Sequence, residues 1–288
     1  MISALSVAAA ALTAAAALTP ASAHAAAAQD DEIRAYWTPA AMEEAVAASS
    51  DDPPDTPPDG VSWTYGTDSV RNVGRLFMEL PDGKKATCTA AVVDADNRGV
   101  IATAGHCVHL KAAGGAMKML LFVPAYDKGA KPYGSYVAKG VSIDDAWRER
   151  EEHKADFAFV TLGPDEKGRA VQNVTGAREA VFAPVPGEKT ALGYPFVKPY
   201  DGETLQYCSG PTTPVLDGRL VGGEQLKPCR MTNGASGGPW YARTGDGKDV
   251  QVGVTSARPT EPGFEDVAWG AMFDGTAREL HRRAGQLR

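Results

Sequence analysis

The chain lacks any concentration of positive charge. Its 288 residues carry 29 Lys and Arg against 36 Asp and Glu, a net charge of -7, and no run of Lys or Arg exceeds two. This excludes the electrostatic footprint of a nucleic-acid binder or of a protein held on an anionic membrane. Cys-x-x-Cys is absent, so the usual structural zinc pattern is not available. No run after residue 25 is long and apolar enough to span a bilayer. Internal sequence repeats are also missing, and helical periods are few.

A globular composition remains, 43% hydrophobic and 23% charged, with room for one large or two small cores. Residues 1–25 form an apolar, small-residue stretch that carries Pro20 and then Ala-x-Ala at Ala21 to Ala23 or Ala23 to Ala25. That pattern reads as a secretory signal, although it has no basic start, with a membrane anchor as the alternative. An exported chain with an even number of cysteines favours disulfides. Cys88, Cys107, Cys208 and Cys229 allow three connectivities. The sequential one, Cys88–Cys107 and Cys208–Cys229, is expected, each bond closing a loop of about twenty residues and contributing about 3 kcal/mol.

Residues 26–65 read as a propeptide or N-terminal arm that adds little to a core. Pro39 opens a short helix through Met42 and Val46, and DDPPDTPPDG then makes a stiff linker. From Arg75 the texture changes to short β-type runs separated by turn residues. RLFMEL, TCTAAVV, GVIATAG, MLLFVPAY, SYVAKGVSI and DFAFVTL form a first set. EKTALGYP, TLQYCSG, GRLVGGEQL, GPWYAR, DVQVGVTS and DVAWGAMF form a second. Two sets of six predict an all-β chain of two antiparallel barrels, at about 70–170 and 180–275 within a domain 66–288. The charged segment 144–154 reads as an exposed helical turn. Asp274 caps a terminal helix over 275–285, ended by cations that suit the helix dipole.

The chemistry centres on Gly234-Ala235-Ser236-Gly237-Gly238-Pro239. A serine hydroxyl needs a base and a donor site for the oxyanion, and glycines let backbone N–H groups approach a reacting carbonyl. His106, in Thr103-Ala104-Gly105-His106-Cys107 after an apolar strand, is the base candidate. Asp156, opening the strand Phe157 to Val160, can orient the imidazole. His109, His153 and His281 read as surface residues, and no Glu stands between His106 and His109 as a zinc peptidase would require. Neither a metal nor a cofactor is expected.

TAGHC around His106, the Asp156-Phe157-Ala158-Phe159 strand, GASGGP around Ser236 and the pair Cys88 and Cys107 resemble a secreted chymotrypsin-fold serine peptidase. Within that group the chain is most similar to the bacterial glutamyl-endopeptidase-like branch, over about residues 70–275. The resemblance implies His106 as general base, Asp156 as its orienter, Ser236 as nucleophile and the N–H groups of Gly234 and Ser236 as oxyanion hole. It implies a pocket wall at Val254-Thr255-Ser256, with Ser256 near the Asp156 carboxylate, and it puts Thr232 and Arg230 near the substrate side chain. Three departures stand out. Ala235 occupies the place of an Asp that pairs with a new N-terminal amine. Cys229 to Asn233 offers no acid at the pocket base, which disfavours Lys and Arg side chains. Thr255 replaces the histidine of Glu-specific members, leaving Arg230 as a cation for an acidic side chain.

The function expected is a secreted, monomeric serine endopeptidase acting on proteins or peptides, with no nucleic acid and no membrane association after signal removal. Two alternatives are a protease-like binding protein without turnover and an esterase built on the G-x-S-x-G string. The esterase would need a helix after the serine and a later catalytic histidine, for which only His281 is available.

Overall fold

Small apolar and aromatic residues of the N-terminal arm make it a folded layer. In the computed structural model, which describes residues 20–47, 61–62, 69–216, 218, 220, 222–259 and 262–287, the arm forms helices α1 (Pro20–Tyr36) and α2 (Pro39–Ala47). Trp37, Met42 and Ala45 are fully buried in a cluster with Phe77, Leu121 and Tyr126. The Trp37 indole donates to Met119 O at 2.5 Å, the Tyr36 hydroxyl donates to Glu79, and Lys85 pairs with Glu44 at 3.0 Å. The expectation that residues 26–65 add little to a core is therefore wrong for the arm. Sparse apolar positions in an Ala-rich helix gave no pattern from which a docked face could be read. The expected signal segment up to residue 19 and the proline-rich stretch 51–60 lie outside the described residues.

After a two-residue strand β1 (Val61–Ser62) come β2 (Val73–Glu79), β3 (Lys85–Val93), β4 (Val100–Thr103), the hairpin β5 (His109–Leu110) and β6 (Gly115–Ala116), β7 (Lys118–Pro124), β8 (Tyr136–Ile143), helix α3 (Asp145–Arg150), β9 (Ala158–Leu162) and helix α4 (Val171–Thr175). Six of these strands close an antiparallel barrel in the order β2-β3-β4-β9-β8-β7. They match the six runs predicted, each within a few residues at its ends. Closure leaves no edge to pair with other chains.

The second half contains β10 (Lys189–Gly193), β11 (Gln206–Gly210), β12 (Thr212–Pro214), β13 (Glu224–Leu226), β14 (Pro239–Arg243), β15 (Asp249–Ala257), β16 (Ala268–Met272) and helix α5 (Gly275–Gln286). Its sheet runs β1-β11-β10-β14-β15-β16-β13-β12, eight strands where six were expected. The additions are the short strands β1 and β12. Neither carries enough alternation to be read from sequence. Helix α5 is capped by Asp274, whose carboxylate accepts from Thr276 N at 2.9 Å and Ala277 N at 3.0 Å, and it buries Leu280 against Val100, Phe159 and Phe273 of the core between the two sheets.

Both disulfides have the sequential pairing, Cys88–Cys107 and Cys208–Cys229. Among the described residues, one grouping could offer three metal ligands, Cys88, His106 and Cys107, and both of its sulfurs are committed to a disulfide. No described helix is long and apolar enough to cross a membrane.

Candidate active site

Strand β4 delivers His106 into a single 3-10 turn, Gly105–Cys107, and the Cys107 disulfide ties that turn back to β3. Gly105 is required there, because a Cβ would lie 2.7 Å from the Trp147 ring. A second 3-10 turn, His153–Ala155, ends at Asp156 just ahead of β9. Because β4 and β9 pair, the two turn ends meet. Asp156 is fully buried and accepts three hydrogen bonds: His106 N to Oδ1 at 2.8 Å, His106 Nδ1 to Oδ2 at 2.8 Å, and Ser256 Oγ to Oδ2 at 2.6 Å. With Nδ1 donating, Nε2 of a neutral His106 is left as the acceptor nitrogen.

Burial alone would raise the pKa of Asp156, but the His106 charge and the hydrogen bonds from His106 and Ser256 outweigh it and hold the carboxyl below its ordinary value. Burial likewise favours neutral His106. The charge and hydrogen bond of Asp156 overcome this and keep the imidazole above its usual pKa. The pair therefore comprises an acid held in its ionised form and a strengthened base.

The serine loop turns on two glycines in the left-handed region, Gly234 at φ 93° and Gly237 at φ 77°. Its carbonyls are held by one residue of the first barrel. Thr89 Oγ1 donates to Gly234 O at 2.8 Å, and Thr89 N donates to Ser236 O at 2.8 Å. Gly237 N donates to Thr255 O at 2.8 Å. Among the described residues no acceptor is paired with the N–H of Gly234 or of Ser236. Ala235 is fully buried against Gly193, where a Cβ would come within 2.7 Å of the alanine methyl.

His106 and Ser236 line one cleft of about 460 Å³, together with Thr232, Thr255 and Ser256. Arg230 is not among the lining residues. Glu265 lies near it and is held below the ordinary carboxylate range, chiefly by the Gly263 N–H, with the Arg230 charge assisting. Sequence reasoning missed Trp147, His153 and Arg258, which also line the cleft. The segment 144–154 does contain the expected helix, capped by Asp144, but Trp147 is only 2% exposed and its indole donates to His109 O at 2.8 Å. His153 is half-buried. Its ring packs edge-on to Trp147, and its Nδ1 is buried. The one available signal was an isolated Trp in an otherwise charged segment. His281, the esterase candidate, instead contacts Asp94 O at 2.8 Å from α5, and Pro239 opens a strand, not a helix.

Two antiparallel barrel-like sheets with a His–Asp pair and a glycine-framed serine in one cleft define the serine peptidases of the chymotrypsin fold. The trypsin family model matches residues 66–268, and the chain belongs to that family. A protease, Anisep, from Arthrobacter nicotinovorans is similar at 29% identity and a TM-score of 0.68, over 76% of this chain and 97% of its own. A thermostable serine protease, AL20, from an extremophilic microorganism is similar at 30% identity and a TM-score of 0.68, over 77% of this chain and 100% of its own. A Glu endopeptidase shares the fold at 16% identity and a TM-score of 0.60, over 80% and 98% of the two chains. No curated protein matches the chain. The protein is a serine-type endopeptidase, and its substrates are proteins or peptides.

Proposed function

We propose that Ser236 is the nucleophile of a Ser236–His106–Asp156 triad and that peptide hydrolysis proceeds through an acyl-enzyme. His106 Nε2 takes the Ser236 proton as Oγ attacks the scissile carbonyl, and returns it to the leaving amine. Water then attacks the acyl-enzyme by the same route. Asp156 stays ionised and stabilises the imidazolium. The N–H groups of Gly234 and Ser236 hold the oxyanion.

The observation that carries this reading is the 2.8 Å His106–Asp156 pair facing the same cleft as Ser236. It also weighs against a binding protein without turnover, which would have no use for a buried carboxylate aimed at an imidazole. Arg258 lines the cleft and, among the described residues, no carboxylate does, so neutral or acidic side chains are favoured next to the scissile bond over Lys and Arg. Thr232, Thr255 and Ser256 form the nearby wall. The protein acts outside the cell as a monomer, after removal of residues 1–25 as a signal.

Ser236→Ala is the direct test. Wild type should react with a fluorophosphonate and cleave denatured casein, and the variant should do neither. Labelling retained in the variant would overturn the assignment. Peptide-library cleavage that prefers Lys or Arg would overturn the pocket reading alone.

A further inference from the structure

The serine loop of this chain has no internal charge pair to set its shape, since the buried residue beside the nucleophile is Ala235. Beside its bonds with Thr89 and Thr255, the loop is supported by the segment between Tyr194 and Gly202. Phe196 N donates to Asn233 O at 2.9 Å and Val197 N to Thr232 Oγ1 at 3.2 Å, so this segment is bonded directly to the residues preceding Gly234. The Phe196 ring lies against Gly234 itself, where a Cβ would come 2.4 Å from Phe196 Cδ1.

The supporting segment is in turn held from the other side. Arg75 of β2, fully buried, donates to Tyr194 O at 3.2 Å and also to Gly202 O, gripping both ends. Val46 of α2 is buried in one cluster with Phe196 and Val197. Its Cγ1 would be 2.5 Å from a Cβ at Gly202, whose φ of 71° also calls for glycine. An unbroken line of packed atoms thus runs from the N-terminal arm through Val46 and Phe196 to Gly234. No described residue of the arm lines the cleft.

We propose that α2 is a positioning element for catalysis, and that Val46, acting through Phe196, holds Gly234 in the conformation that directs its N–H at the oxyanion. Packed contacts of this kind transmit a displacement because close-packed groups have little room to relax. In this role the arm is a working part of the active protein, not a plug over its cleft. The proposal rests on the reading of Gly234 and Ser236 as the oxyanion hole.

The test uses the full-length secreted protein with Val46→Ala and, from the other side of the contact, Phe196→Leu. Each is assayed on a peptide amide well below its melting temperature, with near-UV circular dichroism to establish the folded state. Loss of one oxyanion donor lowers kcat by about 10²–10³-fold. A misdirected donor should lower kcat by about tenfold in each variant and leave KM within about twofold. A merely stabilising arm would lower the melting temperature and leave kcat intact in the folded fraction. That result in either variant would overturn the proposal. Should Val46→Ala not accumulate as folded protein, Phe196→Leu decides alone. Ser236→Ala, run in parallel, separates the two readings. Loss of turnover there with full kcat in the arm variants rejects only the role of α2, and turnover retained there rejects the nucleophile.

Discussion

Ser256 Oγ and His106 Nδ1 donate to the same oxygen of Asp156, at 2.6 Å and 2.8 Å. The hydroxyl comes from β15 in the second sheet, and the carboxylate stands at the head of β9 in the first barrel. Orientation of the His106 imidazole is thus shared between both halves of the fold.

Ser256→Ala should lower kcat/KM by about tenfold, since a hydrogen bond to a charged group contributes about 1.5–3 kcal/mol and two other donors to Asp156 remain. The same change removes one influence that keeps the Asp156 pKa low. Steady-state kinetics on a peptide substrate read the effect. An unchanged kcat/KM would mean that the His106 donors suffice.

The pH dependence follows from the sign of the His106 shift. Under the proposed mechanism turnover needs neutral imidazole, and the His106 pKa lies above its ordinary value. Activity is therefore lost on acidification with a midpoint above that value. Asp156→Asn removes the charge that raises it and leaves the burial that lowers it. Residual activity, reduced about 10⁴-fold, should persist to lower pH. In stability the signs are separate. The raised His106 pKa favours the folded state below the unfolded imidazole value, and this contribution fades as pH rises through the folded value. The depressed Asp156 pKa contributes above the unfolded carboxyl value and is lost as pH falls through the folded one. A kcat/KM profile for both proteins checks the activity claim.

Ala235→Asp would place a carboxylate in a fully buried position against Gly193. An uncompensated buried charge costs about 3 kcal/mol or more. Denaturant unfolding should show that loss, and activity should fall with it. Recovery of wild-type stability in this variant would reveal a buried cation within reach of position 235.

Trp37→Ala removes a fully buried ring that packs 5.3 Å, centroid to centroid, from Phe77. Unfolding free energy should fall by about 3–5 kcal/mol. No measurable change would mean that the arm is not docked in solution.

Much of the fold was legible because turns and short β-type runs alternate from residue 75 onward, and the triad candidates sit in two compact motifs. His106 and Asp156 could be paired from sequence because each adjoins an apolar strand. Ser256 was placed near the carboxylate by resemblance, and the 2.6 Å bond agrees. His153 escaped because its burial depends on Trp147, a contact made by a charged helix whose sequence looks solvated. Arg230 drew attention as a cation in the segment before Ser236, and Arg258 was missed because proximity in sequence says nothing about which way a loop turns. The arm was misjudged for a related reason. Trp37 finds its cavity only once β2 and β7 have closed around it.

Arg75 carries one more consequence. Its guanidinium belongs to the first barrel, yet it donates to carbonyls of Tyr194 and Gly202 in the second half, and burial lowers its pKa to about 10. Drawing the halves apart would break two of the hydrogen bonds of this cation, to Tyr194 O and Gly202 O, and leave it the one to Thr87 Oγ1 within its own barrel, and hydrogen bonds from a charged group contribute about 1.5–3 kcal/mol each. The two halves should therefore unfold in a single transition, and hinge opening between them is suppressed. Substrate meets walls already fixed in relation to one another, so selectivity depends on complementarity to a rigid groove and not on closure around the peptide.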